Sequence, residues 1–243
     1  MFERIGKMKR TILLVGLLAL FVLAPAVRAE IVYAADSCRT ELYNGTDPKV
    51  DENRSDTSKL NVRGDYKAMK SWIKFDISNV DVSSLTSAEF RLTLHKSKSG
   101  SCSVSAINDD YTVNIGWTSD DLTWNSAPGN ITSSDGENPD DGSYTTDNLQ
   151  EDLIASASTL IGTLDYSDGS AGDQFTIDVL SILQADSDGI VQFVIHDSTG
   201  NTEFSTHTNS GGEEYYPALV LIPEPATMIL MGLGGLIVSR RKR

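Results

Sequence analysis

Alternation of apolar and polar positions dominates the middle of the chain. Ile73, Phe75 and Ile77 are apolar, with Lys74 and Asp76 between them. Phe90, Leu92 and Leu94 alternate with Arg91, Thr93 and His95, and Val191, Phe193 and Ile195 repeat the pattern. A last apolar stretch covers 218–222. A period of two puts one row of side chains on each face of a strand, so these runs predict half-buried β-strands. Shorter runs at 59–62, 103–107, 121–124 and 175–179 predict further strands. Turn formers such as Ala127-Pro128-Gly129-Asn130 and Asp168-Gly169-Ser170 separate them. Helical spacing is scarce: 149–160 predicts one short surface helix and 180–185 about a turn. The Ser-, Asp- and Gly-rich stretch 131–150 predicts a long exposed loop. Many short strands and few helices predict an all-β domain, a β-sandwich of jelly-roll type.

Both ends depart from this alternation. Lys7, Lys9 and Arg10 precede an unbroken apolar run at 12–23, and Val27-Arg28-Ala29 supplies a small-x-Ala site. That order describes a secretory signal peptide over 1–29. Pro25 and Arg28 stop the run short of the roughly 20 apolar residues that a span needs. Ala34-Ala35 is a second cleavage site, and both stay open at this level. At the other end, Pro223-Glu224-Pro225 precedes a 13-residue run at 226–238 and the basic close Ser239-Arg240-Arg241-Lys242-Arg243. As a helix that run reaches about 20 Å, against a hydrocarbon core of about 30 Å. The expectation is a transient membrane stop with its basic end cytoplasmic. The two prolines resist helix and keep the motif extended, within reach of a membrane protease.

Charge changes the picture of the 30–222 domain between these signals. It holds 11 of the 20 Lys and Arg and 32 of the 34 Asp and Glu, a net charge near −21. All 11 cations lie between Arg39 and Lys98, whereas 99–222 carries 21 acids and no Lys or Arg. Such a field repels nucleic acid and anionic membrane. It suits solubility outside the cell, or calcium, which prefers carboxylate and carbonyl oxygens. Asn44, Asp47 and Asp51, or Asp186 and Asp188, are the candidate oxygen donors for a structural calcium, although no EF-hand spacing is present. Cys38 and Cys102 are the two cysteines. In an exported chain such a pair predicts a disulfide, adding about 4 kcal/mol in the entropic account; two unlinked thiols are the alternative.

Catalytic spacing is missing. His95, His196 and His207 sit in no metal-ligand pattern, and no G-x-S-x-G precedes a helix. The pairs Asp109-Asp110, Asp120-Asp121 and Asp140-Asp141 are adjacent in sequence, which does not set two carboxyls across a glycosidic bond. The expectation is therefore a protein that is not an enzyme. Trp72, Tyr111, Trp117 and Trp124 are candidate platforms for sugar rings. Trp72 is out of phase with Ile73 and Phe75, so it faces away from the core. Exposed beside Lys70, Lys74 and Arg91, it would form a basic-aromatic patch suited to an acidic polysaccharide. Packed under a loop it would be structural, as is expected of Trp124 in its turn.

The tail from Pro223 to Arg243 closely resembles the PEP-CTERM sorting signal. That resemblance implies an exosortase-type membrane protease as partner, removal of the tail, and delivery to the cell surface or extracellular matrix of a Gram-negative bacterium. The strands also spell a pattern. Leu60-Asn61-Val62, Ile73-Lys74-Phe75-Asp76, Ala88-Glu89-Phe90-Arg91-Leu92, Thr123-Trp124-Asn125-Ser126-Ala127-Pro128 and Tyr216-Pro217-Ala218-Leu219 occur in that order. Together they resemble the DNRLRE-type domain, related to carbohydrate-binding module family 96, over about 40–222. Lys74 and Tyr216 stand where that pattern has arginine, which puts any bidentate carboxylate contact at those places in doubt. The resemblance implies a non-catalytic sandwich that contacts exopolysaccharide. The alternatives are a calcium-dependent structural matrix protein without sugar affinity, or a polysaccharide-processing enzyme.

Overall fold

A computed structural model describes residues 28–42, 49, 51–55, 59–64, 68–96, 98–131 and 153–225. The leader run at 12–23, the apolar tail beyond Pro225, Lys67, Asn44, Asp47 and all but the first residue of the 131–150 stretch lie outside them.

Among the described residues, eleven strands and one short α-helix follow in chain order: β1(Glu30–Tyr33), β2(Asp36–Glu41), β3(Lys59–Val62), β4(Met69–Asp76), β5(Leu85–Thr93), β6(Ser101–Ile107), β7(Ser158–Asp165), β8(Gln174–Asp178), α1(Leu180–Ala185), β9(Ile190–His196), β10(Thr202–Ser205) and β11(Ala218–Pro223). A four-stranded sheet has the order β1-β11-β5-β8, and a five-stranded sheet the order β2-β4-β9-β6-β7. The β10-β3 pair joins them through single bridges, Leu94 to Phe204 and Arg63 to Met69. Every pairing is antiparallel. The fold is the expected all-β sandwich.

Strand phase builds its core. Ala88, Phe90, Leu92, Leu219 and Leu221 of the four-stranded sheet meet Ile73, Phe75, Val104, Phe193 and Ile195 of the other. Phe90 stacks on Phe193 at 4.7 Å between ring centres and meets Phe75 edge-on at 5.8 Å. Offset and edge-to-face contacts of this kind add about 0.5–1.5 kcal/mol each beyond the buried area.

Three expectations change. Residues 121–124 form turns, because Asp121 Oδ1 accepts from the Thr118 N–H at 2.6 Å and Ser126 Oγ from the Thr123 N–H at 2.9 Å. Of the predicted 149–160 helix, 153–160 is described: turns run to Ala157, and β7 starts at Ser158. In β7, Gly162 faces Val104 and Leu160 faces Ser105, so Ile161 is the extra residue of a bulge that breaks the period of two. Finally, Cys38 and Cys102 are both free. They lie on β2 and β6, with β4 and β9 between, and belong to different apolar clusters on opposite faces of the five-stranded sheet. Three interstrand steps of about 4.8 Å far exceed the Cα separation of less than about 7 Å that a disulfide needs.

Candidate functional site

The outer face of the five-stranded sheet carries Lys70, Trp72 and Lys74, as their phase predicts, but it is not a molecular surface. Segment 108–131 closes over it. Trp72 has no exposed area, packs with Cys38, Trp117, Leu122 and Val194, and donates from Nε1 to the Pro128 carbonyl at 3.1 Å. Lys70, also fully buried, donates from Nζ to Asn130 Oδ1 at 2.9 Å, 4.9 Å from the centre of the Trp124 ring. Asn130 in turn donates to the Trp124 carbonyl at 2.8 Å. Lys74 donates to the Trp117 carbonyl, 4.7 Å from the centre of that ring. Carbonyl or amide oxygens and aromatic faces thus solvate both ammonium groups internally. The expected exposed patch is corrected: these side chains clamp the covering segment to the sheet. Trp117 adds to the clamp, with Nε1 donating to Gln192 Oε1 at 2.7 Å.

Arg91 lies elsewhere, on the outer face of the opposite sheet. Register sets Tyr33 opposite Ala218 and Ala218 opposite Arg91, so Tyr33 and Arg91 flank one small residue on a shared face. Tyr216 is two residues before Ala218, and its ring centre is 6.1 Å from that of Tyr33 at 82°. Both tyrosines are half-buried. Among the described residues Arg91 makes no ion pair, and its Nε no hydrogen bond. Two amphipathic aromatics and an uncommitted guanidinium can offer stacking and donors to a sugar ring.

A hollow of about 280 Å³ opens between His95, Ser205, Asn209 and Tyr215, the residue before Tyr216 in the chain. Gln174 of the same sheet ties it down by donating to the Glu214 carbonyl at 3.0 Å. Asn209 Nδ2 approaches His95 Nδ1 at 3.4 Å, and Asn209 Oδ1 accepts from the Gly211 N–H at 2.7 Å. Gly211 is needed there, because a Cβ would stand 2.9 Å from the Tyr215 ring. The volume is at the small end of ligand pockets, roughly 300–1,000 Å³.

Carboxylates converge at the other rim. Asp109, Asp186 and Asp188 each bring an oxygen within 4.8 Å of the others. Asp109 and Asp186 border a largely apolar hollow of about 300 Å³ lined by Ile107, Ile182 and Val191. Burial, then the neighbouring Asp109 and Asp188 charges, raise the Asp186 carboxyl above its ordinary range despite a hydrogen bond from the Gly189 N–H at 2.8 Å. Asp51, the third described calcium candidate, instead accepts from Asn125 Nδ2 at 2.9 Å. Three carboxylates supply part of the six to eight oxygens that calcium takes.

Sequence reading placed Asp186 and Asp188 but not their meeting with Asp109, which a 77-residue separation conceals. It also missed Tyr33, Tyr215 and Asn209; the adjacent tyrosines before the last strand were the available signal. Residues 45–145 match carbohydrate-binding module family 96, a narrower span than the strand-by-strand resemblance, and residues 221–243 match the PEP-CTERM protein-sorting motif. No curated protein matches the chain.

Proposed function

We propose that this chain, whose residues 45–145 match a family 96 carbohydrate-binding module and whose residues 221–243 match the PEP-CTERM sorting motif for export to the cell surface, is a non-catalytic matrix protein that contacts exopolysaccharide. Sorting by an exosortase would deliver it to the outside of a Gram-negative cell. The observation that carries this reading is the module match. The face with Tyr33, Arg91 and Tyr216, continued into the His95–Asn209–Tyr215 hollow, is the surface best suited to the contact.

Affinity electrophoresis of the 30–225 domain through gels containing acidic or neutral polysaccharides tests it. Retention on at least one is expected. Arg91→Ala and Tyr215→Ala should weaken it about 5- to 30-fold, the effect of losing about 1–2 kcal/mol, with melting temperatures close to the parent's. Trp72→Ala should instead lower stability by about 3–5 kcal/mol, as a large buried side chain does. Migration unaffected by every polysaccharide removes the glycan reading.

The Asp109–Asp186–Asp188 convergence favours a second reading, a calcium-dependent structural matrix protein without sugar affinity. It predicts that EDTA lowers the melting temperature in calorimetry and that added calcium restores it. Identical transitions in both conditions remove it.

A further inference from the structure

The sorting motif is not a tail hanging from the sandwich; Pro223 ends β11, and Glu224 is hydrogen-bonded to the turn that precedes β5. β11 is an interior strand, paired with β1 on one side and β5 on the other. Its register runs Leu221 to Ala88, Ile222 to Ser87 and, past an irregularity, Pro223 to Leu85. The Ile222 carbonyl accepts from Thr86 Oγ1 at 3.0 Å, and the Glu224 N–H donates to the Ser84 carbonyl at 2.7 Å. Among the described residues it is the last such bond, and Pro225 has no N–H with which to add another. Pro223 falls at the irregularity, where a missing donor is tolerated. The two prolines of the motif thus mark where the ladder loosens and where it stops.

We propose that the sorting cut falls on the C-terminal side of Glu224, leaving Pro223, the last residue of β11, and Glu224 just beyond it on the mature domain. A protease binds several extended residues on each side of the bond it cuts. A cut before Pro223 would draw Leu219 and Leu221, both without exposed area, out of the core. It would also strip an interior strand from two partners, whereas a cut past Glu224 moves the bound stretch two residues outward, so that Leu219 stays in the core and fewer rungs open. The chemistry is hydrolysis. Water oxygen adds to the carbonyl carbon, the C–N bond breaks, and a water proton passes to the nitrogen that leaves as the amine of the released tail. Only Glu224 and Pro225 separate Pro223 from the apolar run at 226, about 7 Å of extended chain. Before the cut, the Ser84 end of the sheet is therefore held close to the membrane. The inference rests on the sorting motif and not on the glycan reading, so either can fail alone.

Two measurements test it. With the full chain expressed in a bacterium that processes it, mass spectrometry of the surface product should find C-terminal peptides containing Pro223-Glu224. Mature chains that all end at or before Ile222 would overturn the proposal. Separately, the full chain in detergent should resist carboxypeptidase beyond 223–225, and urea should abolish that stop. A P223A/P225A variant should stop at the same place. Trimming of the native chain into Leu221, or a stop that disappears with the prolines, would show that the sheet does not protect the motif.

Discussion

Cys38 and Cys102 illustrate how single residues depend on what surrounds them. Burial pushes each thiol up to about 12, and neither faces the other. The thiolate is the reactive form, so at pH 8 the native protein should alkylate on the order of a thousandfold more slowly than the unfolded chain. Unfolding without reductant should give two adducts by mass; a species with none that gains two only after reduction would restore the disulfide. Asp186 is shifted in the same sense, but at neutral pH its ionised form is the one present, so burial and two like charges make it a cost to the fold. That cost is full above its raised pKa and fades as pH falls through it toward the unfolded value of about 3.9. Asp186→Asn keeps an acceptor for the Gly189 N–H. It should stabilise at pH 7 by up to about 1 kcal/mol, or about 2–4 °C, with the gain closing in acid. An unchanged or lower melting temperature at pH 7 would count against the charge account. His207 should not obscure the comparison. Burial lowers its pKa although Asp36 acts to raise it; its contribution, lost below about pH 6.5, is common to both proteins.

At the scale of elements, β1 bears on where the leader ends. Glu30–Tyr33 pairs residue by residue with Leu221–Ala218, and Val32 packs against the main core. Cleavage at Ala29 keeps this strand, whereas cleavage at Ala34-Ala35 discards it and opens β11 as an edge. A domain starting at Ala35 should melt several degrees below one starting at Glu30, since about 2 kcal/mol of burial and pairing corresponds to roughly 4–8 °C at this size. Equal melting temperatures would make β1 dispensable. The 108–131 segment has the same cooperative character. Asn53 Nδ2 donates to the Ser119 and Leu122 carbonyls at 2.6 and 2.9 Å, and the Ser119 N–H donates to Asp36 Oδ2 at 2.8 Å. An irregular stretch with its carbonyls satisfied in this way can cover a sheet as firmly as another sheet would.

Across the whole molecule, charge and polarity are arranged by side. Several cations of the first half are spent internally, Lys70 and Lys74 beneath the covering layer and Lys59 on Glu203 at 3.1 Å. Burial pushes the Glu203 carboxyl up, but Lys59 and Lys96 more than offset this and hold it below its ordinary range. With those cations engaged, the field around the domain follows its net charge near −21. That field opposes an acidic polysaccharide at long range and leaves local groups such as Arg91 to supply any attraction. The choice between acidic and neutral glycan therefore belongs to the face around Arg91 and not to a basic patch.

What the sequence determined by itself is whatever depends on local period and order. The period of two placed the strands around Phe75, Phe90, Phe193 and Leu219, and predicted correctly that Trp72 turns away from that core. The order of residues at the C-terminus identified the sorting motif, because such a signal is read as linear sequence. Tertiary structure decided everything that depends on what lies beyond a strand's own face. Phase says which way Trp72 and Lys70 point but not whether 108–131 covers them. Linear separation says nothing of the two strands and the change of face between Cys38 and Cys102. The bulge at Ile161 hid β7 because one extra residue reverses the alternation. Tertiary structure likewise decided that Pro223 completes β11 and that Glu224 is tied to Ser84, since a proline in the sequence shows where an N–H is missing and not which carbonyl lies beside it.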